Sequence, residues 1–432
     1  MTLKTDREQL VPGPESNRLA AELRQYESSN VTYIADDFPI FWSSAQGTKV
    51  TDVDGNHFLD FTSAFGVASI GHTHPAVVAA IKSQAEQLIH GMGDVHPSSM
   101  KVKLLERIAK LSPIQDPRII LSQNGADAVE SALKTAAIAT GRSKVLAFKG
   151  GYHGLSYGAL ETTHRQDFKE PFKAQLGGFA QHLPYGCSLE TVDAALAAED
   201  YAAVLVEPIQ GRGGIICPPE GWIMGLLTAC RKHGALLVLD EIFTGWGRTG
   251  ELFACIHESV EPDILCIGKA MGGGLPISAC VASKSIMDKW GASTGEALHT
   301  STFLGNPLSC AAAVAAIDVI IGDNLARAAK DNGKYLKTKL YALQDDFPNT
   351  IQEIRGRGLM LGIQLSSRSL ALDLVTNVLR KGLIVLPAGD GSVIELIPPL
   401  IVSEEEMDQA VSTIADTMRE LRLASSDLAA AS

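Results

Sequence analysis

What the chain lacks narrows its class first. No block of lysine and arginine occurs, and 37 basic residues are outnumbered by 49 acidic ones, for a net charge of −12. Such a balance repels nucleic acid and anionic lipid rather than gathering them. No apolar run reaches the roughly 20 residues that span a bilayer. The first thirty residues are polar and mixed in charge, without a secretory hydrophobic region or an arginine-rich transit pattern. The seven cysteines, at 187, 217, 230, 255, 266, 280 and 310, are odd in number and include no Cys-x-x-Cys. Several lie inside apolar runs, where they read as small core residues in a reducing compartment. The expectation is a cytoplasmic enzyme acting on small molecules, with no nucleic-acid, membrane or metal partner. With 46% hydrophobic and 20% charged residues among 432, the chain is long enough for one large core and a smaller domain.

Residues 1–30 read as an arm or short helix around Pro12-Gly13-Pro14. Asp54-Gly55, between two alternating runs, predicts a β-hairpin. His72 and His74 lack a third ligand at useful spacing, so structural roles are expected for them. Helices are predicted from Ala76 to His90, behind Pro75, and from Ser99 to Leu111. Between 118 and 282, short apolar runs alternate with helical patterns. Strands are expected at 118–122, 145–148, 204–207, 235–241, 264–267 and 277–282, with helices at 124–140 and 221–233. Continuous apolar strands interleaved with helices imply an α/β fold with a mostly parallel sheet covered on both faces. A helix from 307 to 321 leads away. From Asp323 the texture becomes α+β: a charged helix over about 325–344, alternating runs at 359–365 and 393–397 with a helix between, and a last helix over 403–421. The end, Ala424 to Ser432, is expected to fray.

The chemically loaded residues sit at strand ends, outside which ligands bind in an open parallel sheet. Gln123-Asn124-Gly125-Ala126-Asp127 offers small residues and free amides at a positive helix terminus. That suits a phosphate, and equally an ordinary Asn-Gly cap. Gly150-Gly151-Tyr152-His153-Gly154 holds an aromatic that can lie against a planar ring or fill the core. Glu207 and Gln210 follow the next strand, in Glu207-Pro208-Ile209-Gln210-Gly211. Asp240 ends the most apolar strand, where a carboxylate costs several kcal/mol unless paired. A protonated pyridine nitrogen would offset that cost, as would an arginine or helix amides. The Gly245–Gly250 turn carries Arg248 but leads into no helix, unlike a dinucleotide fingerprint. Lys269, after Ile264-Leu265-Cys266-Ile267 and before Gly272-Gly273-Gly274, is either a surface lysine at a turn or a buried amine. Deprotonated, such an amine condenses with an aldehyde. A phosphate cup, a stacking aromatic, a carboxylate for a ring nitrogen and a lysine for an aldehyde are together the needs of pyridoxal 5′-phosphate.

With these motifs in order, the chain resembles the class-III (ω-type) aminotransferases of fold type I, from about Val50 to Val402. The resemblance also rests on Asp52-Val53-Asp54-Gly55-Asn56, Gly71-His72-Thr73-His74-Pro75, Asp240-Glu241-Ile242-Phe243-Thr244-Gly245 and Ser301-Thr302-Phe303-Leu304-Gly305-Asn306-Pro307. It implies an N-terminal arm and small-domain segment over 1–60, a large cofactor domain over 61–322 and a C-terminal small domain over 323–432. It implies that Lys269 holds pyridoxal phosphate as a Schiff base and shuttles a proton, and that Asp240 keeps the ring nitrogen protonated. Tyr152 would stack on one ring face and Ile242 on the other. Gly125 and Ala126 would supply phosphate amides, with His153 and Glu207 beside the cofactor. Thr302 would reach the cofactor of a neighbouring subunit, making the protein a homodimer or a dimer of dimers.

One position departs from the family. Many members carry an arginine for a substrate carboxylate in the segment that reads here Ser392-Val393-Ile394-Glu395-Leu396-Ile397-Pro398-Pro399, and Glu395 stands at the matching place. A carboxylate repels a carboxylate. Binding of 2-oxoglutarate or glutamate then needs another arginine, such as Arg212 or Arg357. Gln210, Glu395 and Trp42 are the candidate substrate residues, and Phe243 replaces a polar residue common in relatives. The expected reaction moves an amino group from an amine or amino acid, including ω-amino compounds, to a 2-oxo acid. Racemisation of an amino-acid derivative such as an α-amino lactam is the alternative, followed by a decarboxylating transamination.

Overall fold

The computed structural model describes residues 10–431 except 34, 37 and 39, with side chains described through residue 421. Seven strands form a central sheet in the spatial order Pro117–Ser122, Ser278–Ser283, Ile264–Ile267, Leu236–Asp240, Tyr201–Val206, Lys144–Phe148 and Ala180–Leu183. The strands from Ile264–Ile267 to Ala180–Leu183 run parallel. Ser278–Ser283 runs antiparallel to both its neighbours.

Side-chain alternation explains why the central strands are apolar throughout. Val204, Val206, Leu237 and Leu239 pack on the face covered by Trp222–His233, with Leu226 and Leu227. Ala203, Leu205 and Val238 pack on the other face, under Ala128, Val129 and Ala132 of the helix Gly125–Thr140. Every residue of Tyr201–Val206 is buried. The strand order reverses where Tyr201–Val206 meets Lys144–Phe148, and the carboxyl ends of the parallel strands open on one side.

Two further four-stranded sheets flank this core. In one, Trp42–Gln46, Lys49–Asp52 and His57–Asp60 pair in sequence, and Leu383–Ile384 joins them parallel to His57–Asp60. The expected hairpin is the pair Lys49–Asp52 and His57–Asp60, turning at Gly55 with φ 82°. Asp54 on that turn accepts the amides of Glu15 (2.7 Å) and Ser16 (2.9 Å), capping the helix Pro14–Tyr26. The other sheet contains Ile351–Arg357, Met360–Leu365, Val393–Leu396 and Leu386–Ala388. Arg248 ties it to the core. Its guanidinium, 1% exposed, donates to the carbonyls of Leu359 and Pro398 and to the hydroxyls of Ser63 and Ser69.

The histidines of the Gly71–Pro75 motif hold structure. His72 meets Asp60 at 2.7 Å, and His74 caps the helix Pro75–Gln87 by accepting from the amide of Ala76. Three features depart from the sequence expectation. The edge strand Ala180–Leu183 was not expected, because Ala-Gln-His-Leu lacks β-branched residues and is only half-buried. Ile351–Arg357 is a strand although its glycine resembles a connection; Gly356 turns to φ 119° within it. The last helix runs Glu404–Ala431 instead of ending at Leu421, since no glycine or proline interrupts it. Among the described residues no single helix is long and apolar enough to cross a membrane. Pro307–Gly322 is apolar because it is buried in the core.

Candidate active site

Lys269 stands at the centre of the open sheet end. The strand Ile264–Ile267 delivers it, and its backbone is left-handed, with φ 44°. That conformation costs a non-glycine residue about 1–2 kcal/mol. Among the described residues its amine has no hydrogen-bond acceptor and no ion pair; the amine lies 3.5 Å from the centroid of the Phe243 ring. Burial lowers its pKa from 10.5 to about 8, against the pull of Asp240, Glu207 and Glu395 and aided by Arg212. A lysine in that state is a nucleophile near neutral pH.

Phe243 is wedged in place by two glycines. A Cβ on Gly66 would come 2.5 Å from its ring, and one on Gly211 2.2 Å. Gly66 closes a turn in which Ser63, Ala64 and Phe65 also adopt positive φ, at 47°, 48° and 61°. Strain of this kind gathers at functional sites. Nothing in Ser-Ala-Phe-Gly signalled it, because the left-handed turn is imposed by contacts: Ser63 Oγ donates to the carbonyl of Ile397.

Asp240 ends its strand 5% exposed. One carboxylate oxygen lies 2.8 Å from His153 Nδ1, and the other accepts the amide of Ile242 at 3.1 Å. Burial lowers the pKa of His153, but the hydrogen bond to Asp240 together with the charges of Asp240 and Glu207 outweighs it, and the net shift is upward. The contact fixes the Asp240 carboxylate at the buried sheet end. Ile242 then packs between Gly125 and Gly268: a Cβ on Gly125 would sit 3.0 Å from its Cδ1, and one on Gly268 3.6 Å from its Cγ2.

Gly125 and Ala126 open the helix Gly125–Thr140, where first-turn amides have no intrahelical acceptor. Asn124 Oδ1 takes the amide of Asp127 at 3.0 Å, leaving those of Gly125 and Ala126. Gly154, at φ 122°, lies so near that a Cβ there would strike Ala126 at 2.5 Å. The Tyr152 turn thus rests directly on the cup. Glu207 holds this turn from below, accepting the amides of Tyr152 (2.9 Å) and Gly211 (3.1 Å). Burial raises the Glu207 pKa to about 7. Gln210 donates to the carbonyl of Lys149 at 2.9 Å, so it too braces the turn.

Arg212 stacks on the Tyr152 ring at 4.8 Å and faces Phe168 at 5.8 Å. Arg357 instead lines a separate cavity with Cys217, His257 and Glu258. Of the two arginines considered as substitutes, Arg212 is the one at this site. Glu395 is 6% exposed, near enough to Lys269 and Arg212 for their charges to act on it. Burial raises its pKa to about 7, opposed by Lys269 and Arg212. Trp42 lies outside this group: it is 41% exposed on an edge strand and packs edge-on against His72. Thr302 is exposed on the loop before Pro307–Gly322. Its neighbour Ser301 accepts from Gln123 Nε2 at 2.7 Å, which places the loop beside the cup.

The donor set fits pyridoxal phosphate. Free first-turn amides suit its phosphate, the Asp240–His153 pair suits a protonated ring nitrogen, and the Lys269 amine has no hydrogen-bond or ion-pair partner among the described residues.

Comparison with known proteins agrees. The family model for class-III aminotransferases matches residues 32–418. Acetylornithine aminotransferase of Methanopyrus kandleri is 38% identical over 382 residues, covering 88% of this chain and 95% of that one. A crystallised ornithine aminotransferase of Toxoplasma gondii, with partial occupancy of pyridoxal phosphate at its active site, superposes with TM-score 0.85 at 32% identity over 95% of both chains. Acetylornithine aminotransferase of Elizabethkingia anophelis superposes with TM-score 0.81 at 30% identity, over 94% of this chain and 99% of that one. Fold type I is thereby established, and aminotransfer rather than the alternative of racemisation is the activity of the relatives. The chain belongs to the class-III aminotransferase family and is a pyridoxal-phosphate-dependent enzyme that moves amino groups between amino compounds and oxo acids.

Proposed function

We propose that Lys269 is the catalytic amine of this transfer, with Asp240 as the acid under the cofactor ring and Arg212 as the seat of the oxo acid's carboxylate. The observation that carries this reading is the Lys269 amine, unpartnered among the described residues and lowered to about 8. When bound, pyridoxal phosphate supplies an aldehyde for amines and a ring that accepts the electron pair left when a C–H bond breaks. The chain's own residues do the rest. Lys269 Nζ takes the proton from the substrate carbon and returns it one position along. The Asp240 carboxylate holds the ring-nitrogen proton, and His153 holds Asp240 in line. Tyr152 and Ile242 fix the ring plane, and the amides of Gly125 and Ala126 bind the phosphate. Glu207 and Gln210 keep the Tyr152 turn at its height. Phe243 excludes water from the amine, which keeps the proton transfer inside the site. Arg212, exposed at the mouth and free of any carboxylate partner among the described residues, receives the anionic end of the acceptor.

A homodimer completes this reading. Ile89, Met92, Val95, Leu298 and Phe303 are exposed by 54–75%. Their two segments touch through His90 on Phe303 and Thr300 on Asp94. Such a patch suits a second copy, and Thr302 lies within it, positioned for the partner's phosphate. A monomeric mass by sedimentation would remove this part.

Borohydride reduction of the holoenzyme followed by peptide mapping tests the core assignment. The pyridoxyl group is expected on Lys269, and the Lys269→Ala protein is expected to bind cofactor without turning over an amine donor and pyruvate. A label on another lysine, or substantial turnover by Lys269→Ala, overturns it.

A further inference from the structure

Glu395 is a buried charge that the reaction as described does not use. It sits on Val393–Leu396, an inner strand whose register sets Glu395 opposite Gly362 on one side and Leu386 on the other. Gly362 matters here. A Cβ in its place would lie 3.1 Å from Ile215 and 3.2 Å from Val393, so the absence of a side chain lets this wall close around the carboxylate. Ile397, two residues on, lies on the same face of the chain and belongs to an apolar cluster with Ile209, Ile215 and Met360, against which Phe243 packs. Glu395 is 94% buried, since 6% is exposed. Yet among the described residues its carboxylate accepts no hydrogen bond and makes no ion pair within 4.0 Å, Lys269 and Arg212 included.

An unpaired carboxylate in such a place costs several kcal/mol. Asp240, Glu207 and Glu241, the comparable buried acids of this end of the sheet, each hold two or more donors. Glu395 alone among them holds no donor among the described residues, and it lies close enough for its charge to act on the Lys269 amine. An anionic substrate group is excluded from it by like-charge repulsion. A cationic nitrogen, with several N–H donors, both neutralises it and fills its acceptor sites. Arg212, stacked on the Tyr152 ring, carries the opposite charge and makes no ion pair among the described residues. The two half-reactions place unlike molecules at one site, and Glu395 and Arg212 offer it opposite charges that no ion pair among the described residues takes up.

We propose that Glu395 is a specificity-determining residue that binds a second, positively charged nitrogen of the amino donor, so that the preferred donors are diamines or diamino acids. The inference rests on the reading of this cavity as the Lys269 active site. The donor's reacting nitrogen lies at Lys269 and its second ammonium at Glu395. The acceptor's carboxylate goes to Arg212 in the other half-reaction.

The test uses the holoenzyme and three donors of equal chain length: 1,5-diaminopentane, 1-aminopentane and 5-aminopentanoate. Hydrogen bonds to a charged group contribute about 1.5–3 kcal/mol, which is about 10- to 150-fold in kcat/KM. The wild-type enzyme is expected to favour the diamine over the monoamine by that factor. Glu395→Gln, which keeps shape, is expected to bring the two within about threefold by raising KM for the diamine while leaving the monoamine nearly unchanged. Glu395→Met is expected to do the same, which guards against a folding defect peculiar to one variant. A diamine no better than the monoamine in the wild type overturns the proposal. So does a loss that falls equally on all three donors, which marks Glu395 as structural, and so does a preference for 5-aminopentanoate. In each of these cases monoamine turnover by the wild-type enzyme and the borohydride label on Lys269 persist, so failure here is distinct from failure of the active-site reading. Absence of turnover with every donor overturns both.

Discussion

Replacing Lys269 with methionine in the cofactor-free protein is expected to raise stability at neutral pH, by an amount that shrinks as the pH climbs. The folded amine titrates at about 8 against 10.5 for the free side chain. At about 1.4 kcal/mol per pH unit, keeping the charged form in the site costs about 3 kcal/mol. Lys269 is only partly buried by the surrounding chain, and solvent screening reduces the figure to about 1–3 kcal/mol. Below about 8 the amine is protonated in both folded and unfolded chains, and the whole penalty is present. Between about 8 and 10.5 the unfolded chain keeps a proton that the folded chain has released, so stability of the parent rises with pH. Above 10.5 both are neutral and the penalty is gone. Thermal unfolding of the two apoproteins from pH 7 to 10.5 reads this directly. Methionine also adds apolar packing, which offsets every point alike; the decisive quantity is the convergence of the two curves. A difference that stays constant with pH, or a parent more stable at pH 7, refutes the account of an unpaired, desolvated amine.

Gly211→Ala is expected to cost about 1–3 kcal/mol, because its Cβ would lie 2.2 Å from the Phe243 ring. The Gly211→Ala/Phe243→Leu double variant should recover much of the lost melting temperature, and an unchanged melting temperature in the single variant would show that Phe243 is not wedged. Asp240→Asn is expected to retain cofactor while slowing the donor half-reaction about 100-fold or more, the scale of losing one preorganised charge at a reacting centre. Stopped-flow absorbance with a single donor checks it, and a rate within threefold of the parent would remove Asp240 from the mechanism.

Much was legible in the chain itself, for a definite reason. Buried strands such as Tyr201–Val206 and Leu236–Asp240 must be apolar on both faces, and that continuity is visible without coordinates. Glycines and polar residues placed right after such strands stand out for the same reason. Lys269, Asp240, Tyr152 and the Gly125-Ala126 step were therefore readable as members of one candidate site, and the departure at Glu395 was visible as a single exchanged charge.

What the sequence could not carry is whatever depends on residues far apart meeting through space. Glu207 and Gln210 look like ligand contacts in order along the chain, yet the fold spends their polar groups on the Tyr152 turn. Arg212 and Arg357 are equivalent as letters; only packing sets one over Tyr152 and the other in a different cavity. The left-handed turn at Ser63–Phe65 and the wedge of Gly66, Phe243 and Gly211 arise from contacts between segments distant in the chain. Local composition decides which residues must be buried, because burial follows from polarity alone. The acidity of Lys269, the isolation of Glu395 and the choice of arginine were decided by the tertiary structure, because electrostatic energy depends on distance and desolvation.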